Sequence, residues 1–126
     1  ISLDILEEVG FERDSSVPYK TASVLPHGYL KRLELARLIA LKSDVFILDE
    51  LFSGLSIAEV TSILPIIEKL LFEGKTVIMV EHRLKELFRI ANNVIVLNYG
   101  KKIKEGPPKE ILEDEEVKKA YLGVEV

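Results

Sequence analysis

The chain has 126 residues, enough for one modest domain with a real core and too few for two well-packed ones. Lys plus Arg number 17 against 21 for Asp plus Glu, a formal net charge of −4, so the balance offers no electrostatic footprint for nucleic acid or anionic lipid. No cysteine and only two histidines exclude disulfides, thiolate metal sites and cysteine nucleophiles, and no apolar run approaches the roughly 18 to 20 residues of a membrane span.

Along the chain, Ser2 caps a short helix whose Leu3, Leu6 and Val9 share a face, and Gly10 stops it. A polar stretch over 12–23 reads as loop. From Tyr29 to Leu41, Leu30, Leu33, Leu35, Leu38 and Ile39 recur at three- and four-residue spacing, which predicts an amphipathic helix. The period then changes. Val45 to Leu48 is an uninterrupted apolar run of strand length, expected to be buried on both faces, and it ends in Asp49 and Glu50. Ser56 followed by Glu59 is a capping box opening a helix from about Ile57 to Phe72, with a kink expected at Pro65 and Gly74 closing it. Thr76 to Val80 predicts a second buried strand, ending in Glu81 and His82, then a helix through Leu84, Leu87, Phe88 and Ala91. Val94 to Leu97 is a third strand, Asn98 to Gly100 turn the chain into Lys101 to Lys104, and Gly106, Pro107 and Pro108 end that element. Two short charged helical pieces finish near Leu122.

Strand, helix, strand, helix, strand is the order of an α/β fold with a parallel sheet and covering helices, where ligands gather at the carboxyl ends of strands. Asp49, Glu50 and His82 all fall there. Two acids after four buried apolar residues are costly unless they face a crevice, a cation or a hydrogen-bond partner. Asp49 suits Mg2+, directly or through water, and Glu50 suits polarising an attacking water. The imidazole of His82 could donate to a phosphate oxygen at the same edge. The bland alternatives are that the acids only cap a strand and that His82 is structural; His27 has no comparable support.

Five segments in series carry a resemblance. They are Leu25-Pro26-His27-Gly28-Tyr29, the helix Lys31 to Arg37, Val45-Phe46-Ile47-Leu48-Asp49-Glu50, Phe52-Ser53-Gly54-Leu55, and Val80-Glu81-His82. In order and spacing they resemble the signature motif and its helix, the Walker B strand with its glutamate, the D-loop and the switch histidine of an ABC-type ATPase. The tail, from Val96 through Gly106 to Gly123, is similar to ATP-binding subunits of branched-chain amino acid importers, and lipopolysaccharide exporter ATPases share much of it.

This resemblance implies a partial P-loop NTPase-like fold, with about 1–43 ending the helical subdomain and holding the signature helix, and about 44–126 holding the remaining motifs. It implies that Glu50 and His82 are catalytic, that Asp49 binds Mg2+ through water, and that Gly28, Tyr29 and the D-loop residue Ser56 meet the ATP of an opposing subunit. It implies a head-to-tail dimer of ATPase subunits on a transmembrane permease, at the cytoplasmic face of the membrane, with no nucleic-acid partner.

Two departures limit it. The phosphate loop G-x-x-x-x-G-K-[ST] appears nowhere, and the chain has no glutamine for a Q-loop. Gly74-Lys75-Thr76 mimics the loop's end but follows a helix and enters a strand, the reverse of the required order. The signature usually reads L-S-G-G-Q, where this chain has Pro26, His27 and Tyr29 at the second, third and fifth places; Leu51 and Ser56 stand where the D-loop carries proline and aspartate. The expectation is the carboxyl-terminal half of such a domain, inactive alone, exposing surface that the other half covers and so prone to oligomerise. A non-catalytic regulatory or scaffolding module, binding a permease or a partner ATPase, is the alternative.

Overall fold

The computed structural model describes residues 2–121, so Leu122, expected near the end of the last helix, lies outside the described residues. The chain divides into two compact units, 1–83 and 84–126.

In the first unit, α1 (Ser2–Glu8) leads through Gly10 into a loop with two short 3-10 turns, Val17–Tyr19 and Ala22–Val24. Helix α2 (His27–Ala40) begins two residues before the apolar periodicity does, because Pro26 at its N-cap ends the extended approach. Strand β1 (Val45–Asp49) and strand β2 (Thr76–Val80) pair in parallel, Val45 opposite Thr76 and Asp49 opposite Val80. The crossover between them is α3 (Ile57–Phe72), opened by the predicted capping box: Ser56 Oγ accepts from the Glu59 amide, and a Glu59 carboxylate oxygen accepts from the Ser56 amide. Pro65 lies inside this helix. The core collects Phe46 and Leu48 of β1, Val60, Ile63, Leu64 and Ile67 of α3, and Val9, Phe11 and Leu35.

The expectation that β1 is buried on both faces is corrected. Phe46 and Leu48 are buried, but Val45, Ile47, Ile78 and Val80 are exposed, Ile47 at 69%. A parallel sheet normally has helices on both faces; among the described residues of this unit one face is covered by α3 and the other presents branched apolar side chains to solvent.

In the second unit, α4 (Leu84–Leu87) is a single turn, shorter than the helix expected through Ala91. Strand β3 (Val94–Asn98) pairs antiparallel with β4 (Lys101–Gly106), with an irregularity at Val96 and Leu97. The third predicted strand therefore belongs to a hairpin, because only Tyr99 and Gly100 separate it from its successor, too short a connection for a parallel crossover. Helices α5 (Pro108–Glu113) and α6 (Glu115–Tyr121) follow; Val94, Val96, Ile111 and Val117 form the core with Phe88, Ala91 and Ile103 against it. The Tyr121 hydroxyl donates to the Leu97 carbonyl, tying α6 to the hairpin.

Candidate functional site at the carboxyl ends of the paired strands

All the predicted site residues lie in the first unit. Asp49 is the last residue of β1 and Glu50 the next; the Glu50 amide donates to the Val80 carbonyl at 2.8 Å, carrying the ladder one step past the strand. Glu50 has φ of +50°, in the left-handed region that side-chain-bearing residues seldom occupy. This turn swings its side chain off the strand axis. Glu50 Oε1 then lies 3.8 Å from His82 Nδ1, with both side chains open to solvent. Asp49 is exposed and lines a small cavity of about 100 Å3 with Glu34, Leu35, Leu38, Ile47, Leu48 and Leu51.

The segment 27–29 packs on the same region from α2. Gly28 is buried, and a Cβ there would lie 2.7 Å from Glu59 Oε1, so only glycine admits the capping carboxylate so close. The Glu59 carboxyl is held below its usual range, chiefly by the Ser56 amide, then by the Ser56 hydroxyl, with His27 and Arg32 adding to the effect. Tyr29 packs edge-on against Phe11, ring centroids 5.1 Å apart. His27 Nε2 lies 2.9 Å from the Ser53 carbonyl oxygen; a carbonyl only accepts, so this nitrogen carries the proton. Gly54 makes room for that ring, since a Cβ there would sit 2.9 Å from the same nitrogen.

Sequence reasoning passed over two residues that the structure brings into this site. Glu81 Oε1 accepts from the Phe52 amide at 2.9 Å, and its Oε2 is buried with no hydrogen-bond partner among the described residues. Burial pushes the Glu81 carboxyl above its usual value, opposed by the Phe52 amide, by His82 and by the Leu51 amide, and reinforced by the charge of Glu50. Arg83 Nη1 donates to the Leu55 carbonyl at 2.8 Å. The signal for Glu81 was the strand's period of two: Val77 and Met79 lean inward and the next step on that side is Glu81, which puts His82 outward with Val80.

Among the described residues no group of three His, Asp or Glu side chains could hold a metal ion. Asp49 and Glu50 offer exposed carboxylates, which fits Mg2+ retaining most of its waters and taking its remaining ligands from phosphate. For ATP itself, a cavity of about 100 Å3 is well below the roughly 300–1,000 Å3 of small-molecule sites.

Solved structures of known proteins resemble this chain over nearly its whole length. The chain superposes on the ADP conformation of MJ1267, an ATP-binding cassette of an ABC transporter, with a TM-score of 0.83 and 26% identity, covering 97% of this chain and 48% of that one. It superposes on the CbiO1 protein of Clostridium perfringens, part of the CbiONQ transporter complex, with a TM-score of 0.76 and 29% identity, covering 98% and 49%. The class is thereby defined: the chain corresponds to the carboxyl-terminal part of an ABC-type ATPase domain.

Within that class, residues 101–126 match the family described as branched-chain amino acid ATP-binding cassette transporter. The chain is 34% identical to the branched-chain amino acid transport ATP-binding protein BraF of Pseudomonas aeruginosa, over 94% of this chain and 46% of BraF. It is also 34% identical to the lipopolysaccharide export ATP-binding protein LptB of Escherichia coli, over 95% of this chain and 48% of LptB. The chain spans about half the length of the curated relatives it matches.

Proposed function

We propose that the chain is the signature and Walker B half of the ATP-hydrolysing subunit of an ABC transporter. The observation that carries this reading is the meeting of Glu50 and His82, 3.8 Å apart, at the carboxyl ends of two adjacent parallel strands. In that role Glu50 orients the attacking water and accepts its proton, while His82 donates to the terminal phosphate and stays within Coulomb reach of the Glu50 carboxylate. Asp49 holds Mg2+ through a water; the ion, when bound, neutralises charge on the phosphate oxygens. Gly28 and Tyr29 at the start of α2, with Ser56 at the start of α3, face the ATP of a second subunit in a head-to-tail dimer. That dimer works on a transmembrane permease at the cytoplasmic face of the membrane; no described helix is long and apolar enough to cross one. Import of branched-chain amino acids is the transport favoured by the match over 101–126.

The open face of the β1–β2 sheet supports the half-domain reading, because four branched residues in water are what removal of a covering layer leaves. One observation favours the second reading, a non-catalytic module that binds a permease or partner ATPase. The ring of His27, at a signature position, is engaged with Ser53 of its own chain.

Calorimetric titration with Mg2+ and ATP tests the proposal. The chain alone is expected to give no saturable binding, and the chain joined to a phosphate-loop half from a family member is expected to bind one nucleotide per subunit. Saturable binding by the chain alone would overturn the assignment. Binding without turnover by the joined protein would favour the regulatory reading.

A further inference from the structure

The main chain between Glu50 and Ser56 is held from outside at three points, each by a side chain. The Phe52 amide donates to Glu81 at 2.9 Å, the Ser53 carbonyl accepts from His27 at 2.9 Å, and the Leu55 carbonyl accepts from Arg83 at 2.8 Å. Two of these holds come from the residues flanking His82. The held loop begins at Glu50, whose φ of +50° persists only while its surroundings impose it. Glu81 supplies the hold nearest Glu50. It does so with a carboxyl group whose second oxygen is buried with no hydrogen-bond partner among the described residues.

Resting on the ATPase reading above, we propose that Glu81 is a positioning residue for hydrolysis. By gripping the Phe52 amide from the end of β2, it fixes the direction in which Glu50 leaves β1 and so the separation of Glu50 from His82. It touches neither nucleotide nor water, and acts only through the loop. Burial first, and in part the charge of Glu50, raises the proton affinity of Glu81.

The test pairs amide hydrogen exchange on the 126-residue chain with ATP turnover by the chain joined to a phosphate-loop half. Glu81→Ala is expected to speed exchange at Phe52 tenfold or more, leaving the paired amides of β2 unchanged, and to lower kcat at least tenfold with KM for ATP within twofold. Glu81→Gln keeps an acceptor oxygen and is expected to restore both to within threefold of wild type. Unchanged exchange at Phe52 in Glu81→Ala overturns the proposal, whatever the chain's activity. Faster exchange with unchanged kcat overturns it too, reducing Glu81 to a structural contact. A wild-type joined protein that binds ATP but never hydrolyses it overturns the ATPase reading and the positioning role together, and the exchange data do not bear on that failure.

Discussion

Replacing Glu50 by glycine and by alanine reads the backbone strain at the site directly. Glu50 has φ of +50°, and its side chain is 58% exposed with His82 as its ion-pair partner at 3.8 Å. An exposed pair of that kind is worth at most about 1 kcal/mol and is lost equally in both variants, so the difference between them isolates the main chain. A side-chain-bearing residue in the left-handed region costs about 1–2 kcal/mol. Glycine escapes that cost but adds conformational freedom to the unfolded chain, worth about 0.5–1 kcal/mol against it. The balance makes Glu50→Gly more stable than Glu50→Ala by about 0.5–1 kcal/mol, the reverse of the order at an ordinary helix or strand position. In urea, with a slope of about 1–1.5 kcal/mol per molar, the glycine variant should unfold at a midpoint about 0.3–1 M higher. An alanine variant more stable than the glycine variant would refute strain at Glu50, and with it the account of how the carboxylate turns toward His82.

Gly10, at φ of +93°, faces Arg32, whose guanidinium donates to the Val9 carbonyl and to Ser62 Oγ; a Cβ at Gly10 would fall 2.0 Å from Nη1. Gly10→Ala is expected to cost about 3 kcal/mol, from backbone strain plus the displaced charged hydrogen bonds, but only about 1–2 kcal/mol in an Arg32→Ala background, as a urea double-mutant cycle would show. Glu81 binds its proton above 4.5 in the folded chain, so the folded state carries more protons than the unfolded one and stability falls as pH rises from 4.5 through the raised value. Glu81→Gln removes that loss, so its stability relative to wild type should climb as pH rises above 4.5 through the raised value. Glu59 has the opposite sign: its carboxyl is lowered from 4.5, so its contribution is present above 4.5 and lost as pH falls through the lowered value, and Glu59→Gln should flatten that acid limb of the stability curve. Ile47, 69% exposed, should accept lysine at a cost within about 0.5 kcal/mol in the chain alone, whereas the same change in the joined protein should cost about 2 kcal/mol or more if the phosphate-loop half covers that face.

The elements set by local chemistry were legible in the sequence. The capping box at Ser56 and Glu59, the apolar run of β1 and the acids at its end all stand where pattern reading puts them, since caps and periodicity act within a few residues. The open face of β1 was not legible. An apolar run in a parallel strand reads as buried on both faces, and the pattern within one strand cannot show which face the rest of the chain covers. The turn from β3 into β4 at Asn98 to Gly100 was legible, whereas the count of strands alone put β3 with the parallel pair and its partner among the described residues is β4. Asp49, Glu50 and His82 were singled out because ligands gather at strand ends, and the structure sets Glu50 beside His82. Glu81 and Arg83 were passed over because their roles are long-range hydrogen bonds, 29 and 28 residues apart in sequence, to main-chain atoms that no side-chain motif marks.

The most direct test of the account is steady-state ATP turnover with Mg2+ by the chain joined to a phosphate-loop half, wild type beside Glu50→Gln. The account predicts measurable turnover that falls at least a hundredfold in the variant, with ATP binding retained, as expected for loss of the group that accepts a proton from the attacking water. Turnover indifferent to Glu50→Gln would contradict it, because the geometry at the ends of β1 and β2 would then have no part in the reaction.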